Sequence, residues 1–177
     1  IIRHDAVVWG FARGADEGGA EIHPYTEVTG LDRTGDRITG VRTNRGTVSA
    51  GIVLNCTAGW STLIADMAGV PLPITTHILQ ACVTEPVKPF LDVVIVSSQM
   101  HVYISQTGRG EFVMGSEIEP WTTYRTQGTL NFLQDLTKHT LELFPQLEHA
   151  RILRAWAGLC DLSPDYSPIL GKTDVEN

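Results

Sequence analysis

The sequence predicts a mixed α/β fold in which an αβ domain is interrupted by a second domain built on an antiparallel sheet. Three observations predict it. The first part mixes helix-like and strand-like segments, and its apolar run at residues 52–54 leads through small residues at 57–59 into a helix. After Pro71-Leu72-Pro73, strand-like runs follow one another with turn residues between them. A final strand-like run then leads back toward the first domain.

The first part begins with a predicted helix over residues 5–18. Asp5 is a suitable cap, apolar side chains recur at helical spacing, and Gly18-Gly19 ends the pattern. Strand-like runs at residues 27–32, 37–43 and 47–50, with glycine-containing turns between them, then predict a three-stranded meander. A short strand is expected before the meander at residues 20–23. A buried strand at residues 51–56 and a helix at residues 61–69 are expected after it.

In the second part, turn residues separate successive strand-like runs, as is typical of an antiparallel sheet, and residues 107–110 are predicted to form a hairpin turn. An amphipathic helix over residues 126–144 ends at Pro145. The expected strands lie at residues 77–84, 93–97, 102–106, 111–116, 152–159 and from 169 onward. The predicted domains are residues 1–70, residues 71–150 as a substrate domain, and residues 151–177 as the return segment.

Composition excludes several classes of function. A net charge of −7 and a pI near 5.3 argue against nucleic acid or an anionic membrane as the main partner. No apolar run approaches the roughly 20 residues of a membrane helix. Cys56, Cys82 and Cys160 are far apart in unlike contexts, so we expect no zinc site and no other metal. We expect buried free thiols in a reducing compartment, and therefore a cytoplasmic protein.

Several segments resemble those of one known family. They are Arg-His-Asp and the residues after it at 3–10, Glu-Val-Thr-Gly at 27–30, Ala-Gly-Trp-Ser at 58–61, the Leu-Gln-Ala run at 79–89, Val-Tyr-Ile-Ser-Gln at 102–106, Trp-Ala-Gly at 156–158 and Pro-Asp-Tyr-Ser-Pro at 164–168. The chain resembles flavin-dependent amine oxidoreductases of the D-amino-acid oxidase type, and among them the beta subunits of heterotetrameric sarcosine oxidases.

The resemblance implies part of a Rossmann-like FAD-binding domain interrupted by the antiparallel substrate domain. It implies oxidative demethylation of sarcosine, or of a related N-methyl amino acid, to glycine. The hydride goes to FAD, and the electrons pass through FMN to oxygen and give hydrogen peroxide. The implied partners are the other sarcosine oxidase subunits. The family's Gly-x-Gly-x-x-Gly turn and its flavin-facing C-terminal segment are absent, so we expect an internal fragment that is inactive alone.

Two side chains are the sharpest candidates. The resemblance places His4 where the beta subunits attach FMN covalently; the alternative is a polar residue just before a helix. It places Tyr103 on a strand that lines the substrate cavity, where its hydroxyl orients the amine or carboxylate of the substrate. The alternative for Tyr103 is an aromatic residue that packs across strands.

The remaining candidates are implied as neighbours of the cofactor. Val28 lies where relatives read the adenine ring with backbone groups, and Ala58 and Gly59 let the chain pass close to FAD. Trp156 and Gly158 belong to the return strand, which lies beside the flavin in the family. The alternative is that all are ordinary strand and turn residues, with Trp156 as a core anchor.

Two other functional interpretations remain open. One is a single-chain relative that carries FAD alone: dimethylglycine dehydrogenase, glycine oxidase or a D-amino-acid dehydrogenase. The other belongs to a different class and is a non-catalytic binding module with a decayed flavin fold.

Overall fold

The structure is a computed structural model that describes residues 3–116 and 118–177. It divides into two compact units, which are described separately. One comprises Ile1–Val53 with Asp174–Asn177, and the other is Leu54–Thr173. Helices and antiparallel sheets occur together, which confirms the mixed α/β character. The predicted functional division at residues 70 and 150 stays a prediction.

The first unit contains helix α1 and a meander of three strands. Helix α1 is His4–Glu17, and the strands are β1 (Val28–Thr34), β2 (Arg37–Thr43) and β3 (Gly46–Ser49). The strands pair antiparallel in the order β1-β2-β3, which confirms the predicted meander.

The end of the chain is fixed to this meander by one side chain. Asn177 donates from Nδ2 to the carbonyls of Ile38 and Gly51, at 2.7 and 2.8 Å. The Ile38 amide donates to Asn177 Oδ1 at 2.8 Å. Ile38 is buried, so the Asn177 amide satisfies backbone groups that no neighbouring strand reaches.

Helix α1 buries none of its residues, and Val7, Val8, Trp9 and Phe11 are exposed. The predicted cap at Asp5 is wrong, because the helix starts one residue earlier and Arg3 occupies the N-cap without a side-chain hydrogen bond that caps the helix. Asp5 lies in the first turn and accepts from Arg3 at 3.1 Å, which lowers the pKa of its carboxyl. A carboxylate in the first turn is stabilising because of the helix dipole.

The predicted strand at residues 51–56 is not formed. This segment is irregular, and Ile52 and Leu54 are 80% and 82% exposed. Its one ladder-like bond joins the Val53 amide to the Asn177 carbonyl at 3.1 Å. An apolar run predicts burial only where another layer covers it, and no layer covers these two side chains in the described residues. The short strands expected at 20–23 and from 169 are likewise irregular.

The second unit is organised around a five-stranded antiparallel sheet. Its order is β5-β6-β7-β4-β8. The strands are β4 (Thr75–Thr84), β5 (Ile95–Ser97), β6 (Val102–Gln106), β7 (Phe112–Ser116) and β8 (Ile152–Leu162). Helices α2 (Ser61–Ala68) and α3 (Leu130–Leu143) belong to the same unit, with short 3-10 helices at Ala58–Trp60 and Pro145–Leu147.

Helix α3 begins four residues later than the sequence predicts. Thr129 is its N-cap, and its hydroxyl accepts from the Phe132 amide at 3.2 Å. The Thr129 amide in turn donates to Gln80 Oε1 at 2.7 Å. A β-strand side chain therefore fixes the start of the helix, which is information that helical periodicity does not contain.

One face of the sheet carries the core and is called the covered face. Cys82, Ile104 and Met114 lie side by side on it, because directly paired residues share a face. Helix α3 packs there through Phe132 and Leu136. In the described residues, no helix is both long and apolar enough to cross a membrane.

The prediction that all three cysteines are buried is wrong for Cys56, which is exposed, while Cys160 is half-buried. Cys56 is the last residue of the uncovered segment at 51–56, which explains its exposure. Cys82 is fully buried at the centre of the core. All three are free thiols.

The buried thiol predicts a pH dependence of stability. Burial raises the pKa of Cys82 from its ordinary 9.0 to about 11. Between these values the unfolded chain loses the thiol proton and the folded protein keeps it. The free energy of unfolding should therefore fall by roughly 2–3 kcal/mol as the pH rises through this window. Urea unfolding at a series of pH values measures the fall.

The matched variants are Cys82→Ala and Cys56→Ala. The first should reduce the slope between these pH values, and the second should leave it unchanged because Cys56 is exposed. Equal slopes in both variants would contradict the assignment to Cys82.

Candidate functional site

The second face of the sheet brings two predicted site residues into one row. Tyr103 pairs with Gly115 on β7, Gly115 pairs with Ala81 on β4, and Ala81 pairs with Trp156 on β8. Paired residues share a face, so Tyr103, Gly115, Ala81 and Trp156 form a continuous line across four strands. The three strand spacings between the ends add to about 14 Å. This face is called the open face.

Tyr103 occupies one end of the row and is half-buried. Its ring lies directly over Gly115, where an added Cβ would collide with the ring atoms and the hydroxyl. Burial, and secondly the neighbouring Cys82 thiol, raise the pKa of the Tyr103 hydroxyl above its ordinary value of 10.0. The hydroxyl therefore stays protonated at physiological pH and can donate a hydrogen bond.

Trp156 occupies the other end and is 37% exposed. The guanidinium carbon of Arg154 lies 5.2 Å from the centre of its ring, which is a cation–π geometry. Gly158 is two residues further along the same face of β8, and nothing lies within 4 Å of the position its Cβ would take. The space above the β8 side of this face is therefore free.

The β8 side of this row fits a planar aromatic ligand. The ring of Tyr103 covers Gly115, and Ala81 is only 6% exposed, so the accessible surface of the row lies on β8. There the exposed Trp156 ring, the Arg154 guanidinium and the free space above Gly158 adjoin one another. A flat ring beside a cation and uncovered backbone is a surface against which a fused ring system such as flavin can pack.

The open face continues along β4 into a cleft of about 750 Å³. This volume is in the range of small-molecule sites. His77 lies inside it, two residues from Leu79 and directly opposite Cys160 on β8. The described residues that line the cleft are Pro73, Thr75, His77, Leu79, Ile118, Glu119, Pro120, Leu162, Ser163, Pro164 and Tyr166.

One wall of this cleft is a tight loop that carries Tyr166. Asp165 Oδ1 accepts from the Ser163 hydroxyl and the Ser167 amide, both at 3.1 Å. The Ser167 bond, followed by the Ser163 bond, lowers the pKa of the Asp165 carboxyl. The loop holds Tyr166 at φ 58°, a backbone region that side-chain-bearing residues rarely adopt.

Gly59 contacts the covered face of the sheet. An added Cβ would lie 2.6 Å from Leu159 Cβ, and the Gly59 carbonyl accepts from the Thr76 hydroxyl at 2.7 Å. The small residue therefore permits a close approach to β4 and β8. Ala58 is exposed beside it, at φ 46°.

His4 and Val28 belong to the first unit. His4 is the exposed first residue of α1, and Val28 is the half-buried first residue of β1, paired with Thr43. Their implied roles toward FMN and adenine stay predictions. In residues 3–116 and 118–177, no cluster of three or more His, Cys, Asp or Glu side chains is arranged to hold a metal.

His77 and Arg154 were not assigned site roles from the sequence. Their only sequence signal is the alternation of side chains along a strand, which puts His77 on the same side of β4 as Ala81, and Arg154 on the same side of β8 as Trp156 and Gly158. Whether these two sets lie on the same face of the sheet depends on the register of β4 with β8, which the sequence does not give.

Comparison with known proteins gives one family and several relatives. The family model described as "FAD dependent oxidoreductase" (DAO) matches residues 1–177. The chain is 41% identical over 176 residues to sarcosine oxidase subunit beta of Rhizobium meliloti (strain 1021), covering 99% of this chain and 42% of that protein. It is 42% identical over 177 residues to the subunit beta of Arthrobacter sp, covering 100% and 44%.

A solved structure is also similar. L-proline dehydrogenase from P. horikoshii superposes with a TM-score of 0.82 at 35% identity, covering 93% of this chain and 46% of that one. The chain thus spans less than half the length of the relatives it matches.

The two candidate glycines should respond differently to substitution. Gly59→Ala should lower the free energy of unfolding by about 1–3 kcal/mol, because the new Cβ meets Leu159. Gly158→Ala should change it by less than about 0.5 kcal/mol, because its Cβ points into open space. Urea unfolding of both variants measures the difference, and equal destabilisation would contradict the packing role of Gly59.

Proposed function

The chain belongs to the FAD dependent oxidoreductase family, and on that premise we propose that it is part of a sarcosine oxidase beta-type subunit. The reaction is the oxidative demethylation of sarcosine, or of a related N-methyl amino acid. Sarcosine, oxygen and water give glycine, formaldehyde and hydrogen peroxide. The observation that carries the proposal is the single sheet face that gathers Tyr103, Trp156 and Gly158.

The substrate class is supported by what the relatives have in common. Two relatives of 41% and 42% identity are sarcosine oxidase beta subunits, and the similar solved structure is an L-proline dehydrogenase. Sarcosine and proline are both secondary amines that carry a carboxylate. The open face offers such a molecule the donor hydroxyl of Tyr103 and the guanidinium of Arg154.

The proposed residue roles follow from this surface. Tyr103 orients the amine or the carboxylate of the substrate through its protonated hydroxyl. Trp156 and Gly158 form the surface toward the flavin ring, since one is flat and the other leaves free space. The bound flavins supply acceptance of a hydride from the N-methyl carbon and delivery of its two electrons to oxygen.

The remaining assignments concern the cofactors and assembly. In the second unit, Ala58 and Gly59 let the chain pass close to FAD. In the first unit, Val28 contributes backbone groups toward the adenine ring of FAD, and His4 carries covalent FMN. The exposure of His4 supports this last role, because an attached group needs a reachable ring nitrogen. The proposed partners are the other subunits of a heterotetrameric oxidase, and the proposed location is the cytoplasm.

A second candidate is a single-FAD dehydrogenase of a secondary amino acid. The L-proline dehydrogenase similarity favours it specifically, at 35% identity and a TM-score of 0.82. The two candidates differ in one measurable property, which is the presence of a second, covalent flavin.

Flavin attachment distinguishes the candidates. The full-length protein, purified with its co-purifying subunits, is precipitated with acid, and the flavin absorbance of the washed pellet and the supernatant is recorded. We expect flavin in both fractions, because one cofactor is covalent and one is free. Flavin in the supernatant alone would exclude covalent FMN and favour the single-FAD dehydrogenase.

In His4→Ala, the washed pellet should contain no flavin, because the covalent attachment site is lost. The amount of flavin in the supernatant should stay as in the wild type. His23→Ala is the matched control, since His23 is also exposed and lies in the same unit. A pellet that keeps its flavin in the His4 variant would assign the attachment to another residue.

The Tyr103 hydroxyl is expected to contribute to substrate orientation. Tyr103→Phe should lower kcat/KM for sarcosine by about tenfold, which is the loss of one hydrogen bond to substrate. Burial raises the pKa of Tyr103, so any fall in the wild-type rate from its ionisation should begin at a higher pH than an ordinary tyrosine would give. Steady-state kinetics across pH measures both effects.

Tyr124→Phe is the control, because Tyr124 is exposed in the same unit but outside the row. An unchanged kcat/KM in the Tyr103 variant would contradict a role of the hydroxyl in substrate orientation and would indicate that Tyr103 only packs in the sheet.

A further inference from the structure

His77 combines burial, two hydrogen bonds and a position inside the cleft. It is 9% exposed and lies in β4. Its Nδ1 donates to the Glu119 carbonyl at 2.8 Å, because a carbonyl can only accept. Nε2 contacts the Thr75 hydroxyl at 3.1 Å and, in the neutral ring, accepts from it. The Thr75 hydroxyl therefore favours the tautomer that donates to Glu119.

The group that His77 holds is irregular backbone. Residues 118–123 run beside β4 where β7 no longer pairs with it, joined by two backbone bonds. The Glu119 amide donates to Ile78 at 3.1 Å and the Thr123 amide to Thr76 at 2.9 Å. Such sparse pairing leaves this segment dependent on side-chain contacts. Residues 118–120 form one wall of the cleft.

Glu119 also accepts a hydrogen bond from a side chain on the other face of the sheet. Gln80 Nε2 donates to Glu119 Oε1 at 2.6 Å and to the Thr129 hydroxyl at 3.2 Å. His77 and Gln80 point to opposite faces of the sheet, because they are three residues apart on one strand. His77 therefore holds the Glu119 carbonyl from the open face, and Gln80 holds the Glu119 carboxylate from the covered face. On the covered face this network reaches the start of α3, and on the open face it ends at the cleft.

We propose that His77 is a positioning residue that fixes the Glu119 wall of the cleft and thereby sets how tightly substrate binds. The inference rests on the proposed amine oxidation and deepens it. His77 acts through the Glu119 carbonyl, which it holds by a hydrogen bond, and we assign it no role at the reacting atoms. Its loss should weaken substrate binding and leave the chemical step intact.

Two substitutions separate the two hydrogen bonds. The amide nitrogen of His77→Asn occupies the place of Nδ1, so this variant keeps the bond to Glu119 and loses the contact with Thr75. The amide of His77→Gln reaches the place of Nε2, so it keeps the Thr75 contact and loses the bond to Glu119. His77→Phe loses both, and His149→Phe is the exposed control in the same unit.

Three measurements are made on the full-length holoenzyme. The first is amide hydrogen exchange at Glu119 and Thr123. The second is the Kd of (methylthio)acetate, a thioether of sarcosine's shape that cannot be oxidised as an amine, from the flavin absorbance. The third is KM and kcat with sarcosine.

We expect faster exchange at Glu119 in His77→Phe and His77→Gln. In these variants KM and Kd should rise together by about 3- to 10-fold, the net worth of one hydrogen bond, with kcat within about twofold of wild type. His77→Asn and His149→Phe should behave as wild type. The inference is overturned if exchange or Kd is unchanged in His77→Gln, or if His77→Asn is impaired equally.

Failure of the proposed substrate is recognised separately. If the wild type neither oxidises sarcosine nor binds the thioether, the sarcosine assignment fails by itself. L-proline then replaces sarcosine as the probe, and the same KM, kcat and exchange comparisons support or overturn the role of His77.

Discussion

The pairing of β4 with β8 is the interaction on which the rest of the second unit depends. It runs along all of β4, from Thr75 opposite Leu162 to Thr84 opposite Ile152. β4 also pairs with β7, so it is the one strand that links β8 to the hairpins on the other side. A shift of one residue would move every side chain of β8 to the opposite face. The core, the open face and the cleft therefore all require this register.

The two faces of that sheet have different physical tasks. The covered face has the large buried side chains, among them Phe112, Ile104 and Leu136 of α3, and supplies the apolar burial that holds the unit together. On the open face, Gly115 and Ala81 lie between the rings of Tyr103 and Trp156, and the pairing continues beyond Tyr103 to Val96 on the edge strand β5. The β8 side of this face contributes little to the core, because Trp156 and Gly158 are exposed. In the described residues, no buried side-chain nitrogen or oxygen lacks a hydrogen-bond partner.

The backbone of this unit is irregular where the candidate site lies. Ala58 and Tyr166 have positive φ, and residues 118–123 follow β4 with two backbone bonds in place of a full ladder. Conformations of this kind persist only where surrounding contacts hold them. Asp165 holds the loop of Tyr166, and His77 holds the Glu119 carbonyl. The Thr76 hydroxyl donates to the Gly59 carbonyl beside Ala58. Polar side chains thus shape the cleft, while apolar ones stabilise the sheet.

The sequence by itself determined the elements whose signals are local. Alternation and turn residues were sufficient for β6 and for the meander, and the segments around Tyr103 and Trp156 were sufficient for the family. The tertiary structure decided what depends on contacts between distant residues. Among the described residues no layer covers Ile52 and Leu54, although their run is apolar, because burial needs a neighbouring layer. The tertiary structure aligned Tyr103 with Trp156 and brought His77 to Glu119, because strand register is fixed by pairing and not by composition.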